Sequence, residues 1–151
     1  MATWLRSIEI LLVEDFEPDA RLFSQLLAHN TSGYRLNVLT DGEQAVNFLN
    51  RRDGYHSAPH PNLIFLDLNL PKRSGFEILE HIRSNPTLKT TPVVVLTSSQ
   101  SEKDVNAAYG FGANLYLRKP GTLDEFEALM QALSKLWLEF GELPIFQRNG
   151  N

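Results

Sequence analysis

The chain of 151 residues contains no cysteine. That excludes a disulfide framework, a thiolate metal site, a cysteine nucleophile and a thioether-linked bilin, and it leaves packing alone to stabilise the fold. Long hydrophobic runs are also missing. Stretches such as Ile10-Leu11-Leu12-Val13 and Val93-Val94-Val95-Leu96 stop at four residues, far short of the roughly 20 that cross a bilayer, so no membrane segment is expected. Residues 1–7 carry Arg6, but Glu9 interrupts the apolar stretch behind them, and a secretory h-region does not form. A cytoplasmic protein is the expectation. The third absence is an excess of positive charge. Fourteen Lys and Arg face 18 Asp and Glu, a net charge of −4, which argues against a nucleic-acid partner. The length suits one domain.

What is present is a regular alternation. Apolar stretches at Ile8–Val13, Tyr34–Leu39, Leu63–Leu66, 92–96 and, more weakly, 115–117 read as five strands. The first, third and fourth are apolar almost throughout, the mark of strands buried on both faces of a parallel sheet. Helical spacing fills the intervals over 18–29, Gly42–Asn50, Gly75–Ser84, Glu102–Gly110 and 123–140. In the last of these Phe126, Leu129, Met130, Leu133, Leu136, Trp137 and Phe140 form a wide apolar stripe. Helix punctuation agrees with the spacing. Ser101 is a candidate N-cap, Gly110 and Asn85-Pro86 are stops, and Thr122 with Glu125 is a candidate capping box. Five βα units predict an α/β fold, a doubly wound parallel sheet with helices on both faces. Residues 51–62, polar with two prolines and a glycine, form a loop longer than the usual ~4–6 residues. The tail that follows the last helix either docks or frays.

In an open α/β sheet, ligands bind outside the carboxyl ends of the strands. Strand one ends in Glu14-Asp15, strand three in Asp67, strand four in Thr97-Ser98, and strand five leads through Tyr116 to Lys119-Pro120. Clustered carboxylates repel and raise one another's pKa unless a cation compensates. Oxygen ligands without Cys or a well-placed His suit Mg²⁺, held by carboxylates and a phosphate oxygen. Asp67 is the candidate nucleophile toward phosphorus, since carboxylates form aspartyl phosphates. Lys119 and the cation would neutralise the phosphoryl oxygens, and Thr97 would donate a hydrogen bond to one of them.

These residues resemble the receiver domains of two-component response regulators. The stretches LLVEDFEPDA (11–20), LIFLDLNLPKRSGFEIL (63–79), PVVVLTSS (92–99) and GANLYLRKPGTLDEF (112–126) stand in that family's order and spacing. The match runs roughly from Ile8 to Phe140, so residues 1–144 are expected to form the receiver domain and 145–151 a C-terminal tail. The resemblance implies a flavodoxin-like sheet of strand order 2-1-3-4-5 with five helices. It implies Asp67 as phosphoacceptor, Glu14 and Asp15 as the metal-binding pair, and Asn69 as a further metal contact through its backbone carbonyl. Thr97 and Lys119 would bind the phosphoryl group, and Tyr116 would be the aromatic switch that turns inward with Thr97. The metal would be Mg²⁺, with Mn²⁺ or Ca²⁺ able to substitute. Glu14 stands where Asp is commoner, and Lys119-Pro120 is where the family often has a cis peptide.

The resemblance further implies a phosphoacceptor signalling protein rather than an enzyme with an external substrate. Its donor would be a sensor histidine kinase, with a downstream phosphorelay protein as a further partner. No output domain is recognisable after Phe140, which suggests a single-domain regulator. The long loop before strand three, SNPTLKTTPVVVLTSS (84–99) and FEALMQALSKLWLEFGELP (126–144) are similar to regulators paired with bacterial, especially cyanobacterial, phytochrome kinases. Light sensing would then belong to the kinase.

Other readings compete with these. His56 and His60 lie in a proline-containing loop without a third ligand and read as solvated. Gly110-Phe111-Gly112 is helix termination, not a phosphate cradle. Leu136-Trp137-Leu138 places apolar residues at consecutive positions that one buried face cannot hold. A homodimer through the last helix and C-terminal segment (Trp137, Phe140, Leu143, Ile145, Phe146) is the expectation. A haloacid-dehalogenase-type phosphohydrolase would place its nucleophile after strand one, not strand three. A flavodoxin-like cofactor carrier would need a phosphate loop where Glu14-Asp15 repels phosphate. A constitutive, unphosphorylated binding module is the remaining alternative.

Overall fold

The structure is a computed structural model and describes residues 7–146. Residues 1–6, read above for a leader, and tail residues 147–151 lie outside the described residues. The element order is β1 (Ile8–Val13), α1 (Glu17–Asn30), β2 (Tyr34–Leu39), α2 (Gly42–Asn50), β3 (Leu63–Leu66), α3 (Gly75–Ser84), β4 (Val93–Thr97), α4 (Glu102–Gly110), β5 (Leu115–Arg118) and α5 (Leu123–Leu133). A π-helical segment, Ser134–Phe140, continues α5. The five strands pair in parallel, as the alternation predicts, and in the order β2-β1-β3-β4-β5 that the resemblance implies.

Strand side chains alternate between faces, and two cores result. Leu11, Val13, Ile64, Leu66, Val93 and Val95 face α2, α3 and α4, where Val46, Ile78 and Ile82 meet them. Ile10, Leu12, Leu63, Phe65, Val94 and Leu96 face α1 and α5, where Phe23, Phe126 and Met130 meet them. Phe23 and Phe65 pack edge to face at 4.9 Å. Each such side chain contributes about 1.5–3 kcal/mol on burial. Among central strands β1, β3 and β4, only the first residue of β1 is not buried. The edge strand β2 is half-exposed.

Helix starts follow side-chain chemistry. Asp41, Ser101 and Thr122 each accept from a backbone N–H of the following turn. Ser74 and Glu77 form a reciprocal capping box at α3, which the sequence reading did not single out. Beyond Gly110 the chain turns at Gly112, whose φ is +105°. Arg83 binds that corner, donating to the carbonyls of Gly112, Lys89 and Thr91 and to the Asn114 side chain at 2.8–3.1 Å.

The last helix differs from a continuous α-helix over 123–140. Its final two turns widen, and Gly141 N–H donates to Leu136 O, five residues back, at 2.8 Å. A wider turn places the consecutive Trp137 and Leu138 together against the α1–α5 core, with Leu143 beside them. Leu136 and Phe140 remain 63% and 70% exposed. Loop 51–62 packs rather than dangles. Tyr55 meets Phe48 edge to face at 5.5 Å, and Ala58 is buried. The tail docks beside it: Asn62 Nδ2 donates to Pro144 O at 2.7 Å, and Phe146 lies 5.4 Å from the His60 ring. Ser7, Arg35, Arg51, His60 and Phe146 surround a concavity there, at the amino end of the sheet and away from the acidic rim.

A Cβ at residue 112 would lie 2.7 Å from Arg83 Cγ as well as forcing a side chain into the left-handed region. Gly112→Ala is therefore expected to destabilise by about 1–3 kcal/mol. Urea unfolding checks this, with a lower midpoint and an unchanged slope expected.

Candidate functional site

The register of the sheet assembles the acidic rim. Val13 of β1 pairs with Leu66 of β3, so the next residues, Glu14 and Asp67, emerge side by side. Backbone bonds continue past the strand ends: Asp67 N–H donates to Val13 O at 3.1 Å and Glu14 N–H to Leu39 O at 2.9 Å. Glu14 and Asp67 are 3% and 6% exposed, whereas Asp15 is exposed. Carboxylate oxygens of Glu14, Asp15 and Asp67 lie within 4.8 Å of one another. Among the described residues this is the one group of three or more acidic or histidine side chains placed to hold a metal. His56 and His60 belong to no such group.

Lys119 follows β5 directly and is tied to β4 by its N–H, which donates to Thr97 O at 2.8 Å. Its Nζ lies 2.7 Å from Glu14 Oε1, 2.9 Å from Asp19 Oδ2 and 3.3 Å from Asp67 Oδ2. Asp67 Oδ1 accepts from Leu68 N–H at 2.7 Å and, longer, from Asn69 N–H at 3.4 Å. The carboxylate is thus held by backbone on one oxygen and turned to the ammonium with the other. Gly75, at the start of α3, donates its N–H to Leu68 O at 2.9 Å. A Cβ there would run into the Asp67 carbonyl oxygen and lie 2.7 Å from Leu68 Cα, so this close approach requires glycine.

Burial pushes the Glu14 carboxyl up to about 7, against the lowering by its Lys119 hydrogen bond and with the charge of Asp67 adding to the rise. Burial alone would depress Lys119. The hydrogen bonds to Glu14 and Asp19 and the charge of Asp67 outweigh it and hold the ammonium above its ordinary range.

Thr97 ends β4, fully buried. Tyr116 is half-buried against the α3 side of the sheet. Its hydroxyl donates to Ser99 O at 3.0 Å, and its N–H donates to the Tyr109 hydroxyl at 3.0 Å. The hydroxyl bond ties the ring to the loop that follows β4. Asn69 is exposed beside Asp67. The Lys119-Pro120 peptide is trans, as is every peptide among the described residues. Asp19 was missed in the sequence. The available signal was an acidic residue in the first turn of the helix that follows an acidic strand end.

The model of the response regulator receiver domain matches residues 10–131. The chain belongs to this family. Response regulator Rcp1 of Synechocystis sp. is 46% identical over 135 residues, 89% of this chain and 92% of that protein. The probable methanogenesis regulatory protein FilR2 of Methanothrix harundinacea is 34% identical, over 89% of this chain and 86% of that one. Among solved structures, the Mn²⁺-bound form of Rcp1 superposes with a TM-score of 0.87 at 45% identity, covering 91% of this chain and 99% of that one. The phosphorylated cyanobacterial phytochrome response regulator RcpA superposes at 0.88 with 38% identity, covering 92% and 99%. This receiver domain is thus related to phytochrome response regulators and works in two-component signalling with a histidine kinase. Receiver domains bind a divalent metal, and the three converging carboxylates fit one.

Two outcomes follow from the geometry. The Glu14 carboxyl is raised in the folded chain, so its contribution to stability is full below pH 4.5 and is lost as pH rises through about 7. In metal-free protein, Glu14→Gln should flatten the fall in stability across that window, read by urea unfolding at each pH. Gly75→Ala should displace the Asp67 backbone and lower phosphorylation from acetyl phosphate by at least about tenfold.

Proposed function

We propose that Asp67 accepts a phosphoryl group from the phosphohistidine of a phytochrome-type sensor kinase in the cytoplasm. The observation that carries this is a buried carboxylate, Asp67, held by backbone N–H groups on one oxygen and facing the Lys119 ammonium with the other. As the P–O bond to Asp67 forms, the P–N bond of the donor breaks and its electron pair returns to the imidazole. Glu14, Asp15, Asp67 and the Asn69 backbone carbonyl would hold Mg²⁺, with Mn²⁺ or Ca²⁺ as substitutes. Bound there, the ion supplies positive charge for the equatorial phosphoryl oxygens. Lys119 contributes the second positive charge, and the Thr97 hydroxyl a hydrogen bond. Phosphorylation then biases the face formed by Thr97, Tyr116 and α4, and with it the choice of protein partner, a phosphorelay protein among them. The protein catalyses its own phosphorylation and dephosphorylation and turns over no external substrate.

The unit responsible is residues 1–144, with 145–151 as a tail. Leu136, Phe140 and Ile145 are 63%, 70% and 70% exposed on the last helix and tail. These open apolar side chains, with the part-buried Trp137, Leu143 and Phe146, support a homodimer.

Intact-mass measurement after incubation with Mg²⁺ and acetyl phosphate tests the acceptor. Wild type should gain one phosphoryl group and Asp67→Asn none, while Lys119→Ala should react about 10²-fold more slowly. Equal uptake by Asp67→Asn would remove Asp67 from the role, and steady release of phosphate from added monoesters would favour a phosphohydrolase. In sedimentation equilibrium, Phe140→Glu combined with Ile145→Glu should weaken the dimer at least about tenfold. A monomeric wild type would contradict the dimer.

A further inference from the structure

The segment 98–100, which joins Thr97 to α4, makes no backbone–backbone hydrogen bond among the described residues. Side chains hold it instead, and most of the contacts fall on Ser99. Its carbonyl accepts from the Tyr116 hydroxyl at 3.0 Å. Its own hydroxyl donates to Asp104 Oδ2 at 2.6 Å and accepts from Ser101 N–H at 3.3 Å. The contact with Asp104 has the length of a charge-assisted O–H···O⁻ bond, roughly twice as strong as a neutral one. Arg118 adds a longer bond, to Gln100 O at 3.4 Å.

Two helix starts differ in an instructive way. At α3 the capping box closes directly: Glu77 N–H donates to Ser74 Oγ at 3.3 Å, and Ser74 N–H donates to Glu77 Oε1 at 3.1 Å. At α4 the first half is direct, from Asp104 N–H to Ser101 Oγ at 3.3 Å. The second half runs from Ser101 N–H to the Ser99 hydroxyl and on to the Asp104 carboxylate. Aspartate is one methylene shorter than glutamate, and a hydroxyl, donor and acceptor at once, fills the gap. The cap of α4 therefore includes the residue whose carbonyl holds Tyr116.

We propose that Asp104 is a positioning residue for the Tyr116 switch: through the Ser99 hydroxyl it fixes the carbonyl that Tyr116 binds, and so ties the ring to the start of α4. This rests on Asp67 being the phosphoacceptor and on Tyr116 following its state. With no backbone bond to anchor segment 98–100, a shift at either end moves Ser99, and the ring and α4 change arrangement as one unit.

The test follows the Tyr116 ring by NMR in protein carrying carbon-13-labelled tyrosine, its signals assigned with Tyr116→Phe. Asp104→Ala and Ser99→Ala should shift those signals to a common new position, and the double variant should shift them no further. Asp104→Asn, whose side-chain oxygen still accepts from Ser99, should return them toward the wild-type position. Should Asp104→Ala fail to fold, Ser99→Ala removes the same bond and keeps the Ser101 cap. Ring signals unmoved by loss of that bond would overturn the proposal and leave Asp104 a helix cap alone. Shifts that add in the double variant would also overturn it, since the two residues would then act separately. A second arm adds beryllofluoride, a phosphoryl mimic, with Mg²⁺. In wild type the Tyr116 ring and the Ser101 amide signals should move together along the titration. In Ser99→Ala the ring should still respond and the Ser101 amide should lose its response, whereas an undiminished response there would overturn the coupling. A wild-type ring indifferent to the bound mimic, with the shifts of the first arm intact, would overturn the switch role of Tyr116 rather than its tie to Asp104.

Discussion

The Lys119 ammonium lies among Glu14, Asp19 and Asp67 at 2.7–3.3 Å, and the carboxyl end of the sheet depends on that one charge. Two of those carboxylates are almost wholly buried. Without a cation their mutual repulsion and their lost hydration would favour protonation or displacement. Glu14 shows how closely the balance is set, since its carboxyl still rises to about 7 despite its short contact with Lys119. Such a site has charge to spare for a divalent cation and a phosphoryl group, and an ammonium already in place to share with them.

The sheet exists to bring these groups together from distant parts of the chain. The Val13↔Leu66 register fixes Glu14 beside Asp67, and the bond from Lys119 N–H to Thr97 O fixes where the lysine leaves β5. Gly75 lets the loop after β3 fold against the Asp67 backbone. The two cores, one on each face, make the strand ends rigid enough for such contacts to persist.

Much of this was legible in the residues. Continuous apolar runs such as Leu63–Leu66 read as strands buried on both faces, and the acids that follow them mark the carboxyl rim. Caps at Ser101 and Thr122 lie where side-chain chemistry places them. Asp19 was not legible, because whether a first-turn acid meets solvent or a lysine about a hundred positions later depends on tertiary packing. The same holds for Arg83, whose carbonyl partners are set by the fold around Gly112. The widening of the last helix after Leu133 was hidden for another reason. Leu136-Trp137-Leu138 conflicts with an α-helical face, and a sequence pattern does not say whether a partner or a change of helical pitch resolves the conflict. Here the pitch draws Trp137 and Leu138 inward and leaves Leu136 and Phe140 to solvent.

Borohydride reduces an acyl phosphate to an alcohol, so treating the phosphorylated protein and sequencing its peptides by mass spectrometry locates the phosphoryl group directly. With Asp67 as acceptor, the reduced side chain appears at position 67 alone. Reduction at Glu14, Asp15 or Asp19 in its place, or a phosphoryl group that resists reduction, would contradict the assignment of Asp67 and the role of the ammonium that faces it.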